Sequence, residues 1–184
     1  MRATRDLLRR RNHFAHNRTD LPAHIQNTNS QYNLPEFGKK LSRKINRAAT
    51  HHDPQALHLL KTVYGIGKTL SLVILYEIHD INRFPRVQDL ASYSRLVKCP
   101  RESAGKRHGS SGKKIGSMHL KWAFSEAAVL FLRENPKGMA YKKRLERKHG
   151  KSKALTIIAH RLGRAVYYML KRERAFDVEK FLRE

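Results

Sequence analysis

A single cysteine, Cys99, stands among 184 residues, which rules out an internal disulfide framework and suits a reducing compartment. Acidic side chains are scarce: 15 aspartates and glutamates face 39 lysines and arginines, leaving a formal charge of +24. Solubility alone asks for a net charge of about 2–8. The surplus repels itself unless a polyanion lies alongside, and the usual polyanion is nucleic acid. No run of residues approaches the ~18 consecutive apolar positions of a membrane span. The basic N-terminus, residues 1–11, also lacks the apolar stretch of a secretory signal. The chain is therefore expected in the cytoplasm, with no membrane partner.

No metal site is supported by the sequence either. Eleven histidines are present, but there is no Cys-x-x-Cys and no His-Glu-x-x-His, and His51, His52 and His58 lack partners at zinc-ligand spacing. His108, beside Arg107, suits a phosphate or solvent contact. Glu77, Asp80, Asp89 and Glu126 form no Asp-x-Asp cluster of the kind that holds paired Mg²⁺. Bases around them offer simpler salt-bridge partners. Neither a metal site nor a cofactor is expected in this chain.

What remains is helical. Hydrophobic residues make up 40% of the chain, enough for one core plus an extended arm. Residues 1–28 read as an exposed basic helix without a clean apolar stripe, an arm or a coiled-coil remnant. Residues 27–35 form a turn-rich linker, and a short cationic helix follows over 36–49. The compact part begins at Asp53-Pro54, a helix cap with proline at the first helical position. Leu57, Leu60 and Val63 mark one helix; Gly65-Ile66-Gly67 breaks it; Leu70, Val73, Ile74 and Ile78 mark the next. A short helix spans 87–93. Met118 to Arg133 is too apolar for a surface helix, Asn135-Pro136 restarts the chain, and Gly150 stops it again. In the last long helix Leu155, Ile158, Leu162, Ala165, Val166 and Met169 form one face, leaving Arg161, Arg164, Lys171 and Arg172 mainly off it. The fold class predicted is all-α, with a basic arm over 1–52 and a helical domain over 53–184.

Two constellations could carry function. The first is Gly65-Ile66-Gly67-Lys68 between two helices, the pattern of a helix-hairpin-helix DNA-backbone binder. Glycines let the main chain approach a phosphate, the next helix offers free N–H groups, and Lys68 adds a charge. The spacing does not satisfy a phosphate-binding nucleotide loop, and an ordinary tight turn between packed helices fits it equally well. The second is the stretch 98–116, with no hydrophobic period, four glycines and six bases, among them Arg101, Lys106, Arg107, Lys113 and Lys114. A loop of this length is usually functional or disordered. Ser103, Ser110 and Ser111 lie in it. A serine there is either a phosphate hydrogen-bonder or a nucleophile, which requires activation by a base or neighbouring cations. Lys121, just beyond, extends the cationic surface together with Arg161 and Arg164.

The order of motifs resembles a known family. Gly65-Ile66-Gly67 is followed by Glu77-Ile-His-Asp80-Ile-Asn-Arg83-Phe84, Leu90-Ala-Ser-Tyr93, the Ser103-Ala-Gly105 loop and Gly116-Ser-Met-His-Leu-Lys-Trp-Ala-Phe-Ser-Glu-Ala-Ala128. His149-Gly-Lys-Ser-Lys-Ala154 and Leu162-Gly-Arg-Ala-Val-Tyr-Tyr-Met-Leu170 continue the series. Over residues 53–182 this resembles the C-terminal domain of the IS-one-ten family of insertion-sequence transposases, in its IS-eleven-eleven branch. The resemblance implies a recombinase whose serine attacks the DNA backbone and holds it covalently, with an element-encoded guide RNA choosing the target. It places that serine best on Ser103. The family usually has glycine directly after it, where this chain has Ala104, so Ser111, which precedes Gly112, is the alternative. The resemblance also implies a preceding RuvC-like carboxylate domain carrying Mg²⁺, for which the first 50 residues leave no room. The chain is thus expected to be a truncated copy that binds nucleic acid without recombining it, or a regulator that joins an intact transposase or a homo-oligomer. A plain helical nucleic-acid binder is the remaining alternative.

Overall fold

The computed structural model describes residues 5, 6, 9, 43–44, 47–51, 53–97, 116–133 and 135–183, together with the backbone of 100–103 and 106–110. The architecture is all-α. Asp53 accepts the Ala56 N–H at 2.8 Å and Pro54 opens α1 (Pro54–Lys61). Such a cap satisfies an otherwise orphaned donor and contributes roughly 1 kcal/mol. Past the Gly65-Ile66-Gly67 turn comes α2 (Lys68–Ile78), then a single 3-10 turn (Ile81–Arg83) and α3 (Val87–Tyr93). The second half holds α4 (Met118–Arg133), α5 (Pro136–His149), α6 (Lys151–Arg172) and α7 (Val178–Leu182). Asn135 caps α5 through the Gly138 N–H at 2.9 Å, and Gly150, at φ 85°, separates α5 from α6.

Burial explains the order of packing. Every residue of α2 from Leu70 to Ile78 is buried, so this helix runs through the middle of the molecule. It contacts α1 on one side and α4 on another. The 22-residue α6 is amphipathic: Ala154, Ile158, Leu162, Val166 and Met169 recur at three- and four-residue spacing and pack on α4, α5 and α3. Phe124, Phe131, Leu60, Ile74, Leu120, Ile158 and Leu162 are fully enclosed where these helices meet. Each such side chain contributes about 1.5–3 kcal/mol of burial free energy. The C-terminal segment closes the bottom of this core. The Phe176 N–H donates to Thr62 Oγ1 at 3.0 Å, and the Phe176 and Phe181 rings meet Phe131 edge-on at 6.3 and 5.2 Å.

Three features differ from what the sequence suggests. The basic stretch, expected to lack secondary structure, contains an antiparallel hairpin, β1 (Pro100–Ser103) with β2 (Lys106–Ser110). Ser103 stands opposite Lys106 and Glu102 opposite Arg107, with an irregularity between Pro100 and Glu102. The sequences Pro-Arg-Glu-Ser and Lys-Arg-His-Gly-Ser have no apolar alternation to announce it. The hairpin adds no layer to the helical core. Secondly, Ala49, on the arm side of the boundary expected at residue 52, is fully buried in the same core as α1 and α2. Thirdly, Arg9 of the arm reaches that core as well. The linker at 27–35 lies outside the described residues, as does the greater part of the helices expected over 1–28 and 36–49.

Candidate nucleic-acid interface

The stretch carrying the candidate serines leaves and re-enters the core through a narrow, rigid base. At its entry, Tyr93 ends α3 and its carbonyl accepts the Ser117 N–H at 2.7 Å. Arg95 sits at φ 53°, a backbone region that costs an L residue about 1–2 kcal/mol. Its guanidinium Nε donates to the Gly116 carbonyl at 3.1 Å, spanning the neck from the other side. Gly116 at the exit has φ 88°, and a Cβ there would lie 2.3 Å from the Tyr93 carbonyl oxygen. Only glycine fits. Leu96 anchors the entry strand by pressing against Gly163 of α6, where a Cβ would come within 2.6 Å of its Cδ1.

Beneath the neck lies a buried ion pair. Glu77, 2% exposed near the end of α2, accepts from Arg9 Nε at 2.7 Å and from Arg9 Nη2 at 3.0 Å. Ser117 Oγ donates to the same carboxylate at 2.9 Å and accepts the Leu120 N–H at 3.2 Å, so one hydroxyl caps α4 and ties it to α2. Burial alone would raise the Glu77 pKa, but the hydrogen bonds from Arg9 and Ser117 outweigh it and hold the carboxyl below the usual range. Sequence reasoning placed Glu77 among possible metal ligands or salt-bridge acids and gave Arg9 and Ser117 no role. Its one available signal is position: a lone acid between Tyr76 and Ile78 in an otherwise apolar helix.

Asp80 and Asp89 are occupied locally. Asp80 caps the 3-10 turn through the Asn82 N–H at 2.8 Å. Asp89 takes the Arg86 backbone N–H at 3.0 Å, and hydrogen bonds from Arg86 hold its pKa down. Among the described residues no group of three His, Cys, Asp or Glu converges as metal ligands would. These acids, committed to cations and helix ends, do not fit a Mg²⁺ pair.

The sequence-predicted binding residues fall into separate places. Side chains of Arg101, Ser103, Lys106, Arg107, Ser111, Lys113 and Lys114 lie outside the described residues, as do those of Cys99 and His108; the backbone of Arg101, Ser103, Lys106 and Arg107 belongs to the hairpin strands. Lys121 is exposed in the first turn of α4, next to the neck. Arg164 is exposed on α6, adjoining Gly163. Burial, with the charge of Arg164 added, pushes the His160 imidazole down, so this residue adds no positive charge at neutral pH. Arg161 is engaged otherwise. Its guanidinium donates to the Tyr141 hydroxyl and to the carbonyls of Phe181 at 2.6 Å and Arg183 at 2.8 Å, tying the C-terminal segment to α5 and α6.

The Gly65-Ile66-Gly67 turn is at the opposite end of α4 from the neck. Gly65 has φ 83°, and a Cβ would lie 2.5 Å from the Phe131 N and 2.9 Å from the Ala127 carbonyl oxygen. From Ser117 to Phe131 is 14 residues of helix, about 21 Å. Gly65 thus serves helix packing. Gly67 differs: it starts α2 without a side-chain cap, and nothing lies within 4 Å of where its Cβ would be. Exposed Lys68 follows it, and Tyr64 beside it is 61% exposed. Gly67→Ala should therefore change stability by less than about 1 kcal/mol. If main-chain approach to a phosphate is what Gly67 permits, duplex affinity should fall several-fold in a titration at low salt. Unchanged affinity would assign the whole turn to packing.

The protein is thus a helical domain from which one hairpin-bearing cationic stretch leaves and returns at a single neck. Residues 57–143 match the family model described as Transposase IS116/IS110/IS902 family. That match begins within α1 and runs through α2 to α4, the basic stretch and the first half of α5, and it supports a transposase domain of an insertion sequence. Among curated proteins, none matches the chain significantly. No helix among the described residues is long and apolar enough to cross a membrane.

Proposed function

We propose that this chain is the DNA-handling part of an insertion-sequence transposase, and that a serine in the stretch 98–116 is the strand-attacking group. The observation that carries the proposal is the family match, whose span encloses that stretch between two positive-φ neck residues, Arg95 and Gly116. In the attack, the serine Oγ–phosphorus bond forms as a phosphorus–oxygen bond of the strand breaks. The hydroxyl proton passes to a base, and cations of the loop offset the developing charge. Ser103 is the first candidate and Ser111 the second.

A serine hydroxyl without an activating partner is a poor nucleophile, and Glu77, Asp80 and Asp89 are otherwise engaged. The 184 residues by themselves should therefore bind DNA and leave it unbroken. Affinity should drop by about 10³–10⁵ between 50 and 200 mM salt if 6–10 phosphates are touched. The test mixes purified chain with the element's end DNA and looks for a covalent protein–DNA adduct on a denaturing gel. An adduct from the chain alone refutes the inert reading. With a RuvC-like carboxylate domain supplied in trans, an adduct should appear that Ser103→Ala abolishes and Ser111→Ala leaves. The reverse moves the role to Ser111, and no adduct in any arm leaves a binding module. Whether a guide RNA or a second copy joins the complex is read in the same mixtures by RNA shift and by mass.

A further inference from the structure

Between residues 142 and 153 the chain has seven lysines and arginines against one acid, Glu146. Glu146 is already paired with Lys142 at 3.2 Å. The other six, Lys143, Arg144, Arg147, Lys148, Lys151 and Lys153, are exposed and have no acidic partner among the described residues. Tyr141 and Leu145 turn the opposite side of α5 into the core, so Lys143 and Arg147, one turn apart, stand on its outer face. Arg144 and Lys148 repeat the spacing beside them. Like charges at this spacing destabilise a helix by about 0.2–0.5 kcal/mol per pair.

The next helix repeats the anomaly. The turn at Gly150 is open, with nothing within 4 Å of where a Cβ would stand, and it provides no side-chain cap for α6. The first turn of α6 has no acid and two lysines, Lys151 and Lys153. Cations at the positive end of a helix dipole are unfavourable. The last-turn cations Arg147 and Lys148 suit the negative end of α5. The two like-charge pairs on α5 and the two lysines in the first turn of α6, however, oppose the stability of the free protein, and an anionic partner offsets these repulsions.

We propose that the tip of the α5–α6 helical hairpin is a second phosphate-backbone surface, which grips duplex DNA away from the serine-bearing stretch. This rests on the DNA-binding reading above and extends it to a surface that reading does not use. Duplex is favoured over single strands because residues 142–153 contain no Phe, Tyr or Trp; the single imidazole of His149 offers one stacking face where a track of unpaired bases needs several. Lys151 lies 12 residues along α6 from Gly163, the residue against which the loop entry packs. That is about 18 Å of helix, the length of about five base pairs.

The test uses the full chain and a labelled duplex of about 40 base pairs, titrated by anisotropy from about 50 to 200 mM salt. The tip variant combines Lys143→Ala, Arg147→Ala, Lys148→Ala and Lys151→Ala. A charge-matched control combines Arg86→Ala, Lys137→Ala, Arg174→Ala and Lys180→Ala. A loop variant combines Arg101→Ala, Lys106→Ala, Arg107→Ala and Lys113→Ala. Alanine is the best helix former and relieves the charge repulsion, so the tip variant should melt at or above the parent. It should bind at least about tenfold more weakly than the control, with the salt slope reduced by about 3. Equal losses in tip and control mean diffuse charge and overturn the proposal. Loss in the loop variant alone also overturns it, while leaving the DNA-binding reading intact. Loss in the tip variant alone upholds the tip and moves DNA binding off the loop. Loss in no variant defeats both. If the tip variant loses a structured RNA but keeps the duplex, the partner is RNA and the proposal falls.

Discussion

Gly116→Ala should lower the stability of the domain by about 3–4 kcal/mol, the largest effect expected from removing so little. Two costs add. An L residue at φ 88° is strained by about 1–2 kcal/mol. The new Cβ would also sit 2.3 Å from the Tyr93 carbonyl oxygen, which is backbone and cannot rotate away. Relief requires the neck to open, and the 2.7 Å Ser117–Tyr93 hydrogen bond is then lost. In a thermal melt the variant should unfold at least about 8 °C below the parent. Gly65→Ala is the matched comparison, since it meets a similar backbone clash against α4 at the other end of that helix. Both should melt early, but only the neck variant should alter how the hairpin stretch is presented, read as a loss of DNA affinity measured well below both melts. A Gly116→Ala protein that melts within about 1 °C of the parent would show that the neck is not closed in solution.

The second large effect concerns acid. Glu77 has a pKa lowered in the folded protein, so it binds fewer protons there than in the unfolded chain. Its contribution is complete above the ordinary glutamate pKa of about 4.3 and is lost as the pH falls through the lower, folded value. Glu77→Gln keeps the shape but removes the charge that Arg9 and Ser117 address, and should cost about 2 kcal/mol at pH 7. A full buried pair would be worth more on removal of one partner, about 3–5 kcal/mol, but the Arg9 side chain is 38% exposed and solvent screens it. The stability gap between parent and variant should be constant from pH 7 to about pH 5 and shrink below about pH 4. Urea melts across that range measure it. A gap that stays constant down to pH 3 would mean that Glu77 is not held as a charged partner of Arg9.

The two predictions share one structural cause. The neck, the Ser117 cap and the Glu77–Arg9 pair form one connected set: Tyr93 to Ser117, Ser117 to Glu77, Glu77 to Arg9. Whatever the hairpin stretch holds, its direction relative to α4 and α6 is set there. The arm, expected to be separate from the compact domain, contributes a cation to that set. A change near residue 9 is thereby linked to the exit of the serine-bearing stretch.

Helix boundaries are legible in the sequence because their signals are local. Asp53-Pro54, Asn135-Pro136 and Gly150 each act within a few residues of themselves, by capping a donor or by tolerating φ 85°. The apolar face of α6 is equally self-contained, since its period alone fixes which residues turn inward. The charge excess, and with it the choice of a polyanion as partner, follows from composition. Partnerships across the chain were decided elsewhere. Glu77 finds Arg9 across 68 positions, and Arg161 is drawn to the C-terminal carbonyls 20 and 22 residues on, because packed helices bring those groups within reach. Gly65 and Gly67 look alike in sequence, yet one is pressed against α4 and the other is open. Which of two similar residues is wedged and which is free depends on the neighbour that arrives from a distant part of the chain. No window of consecutive residues contains that neighbour.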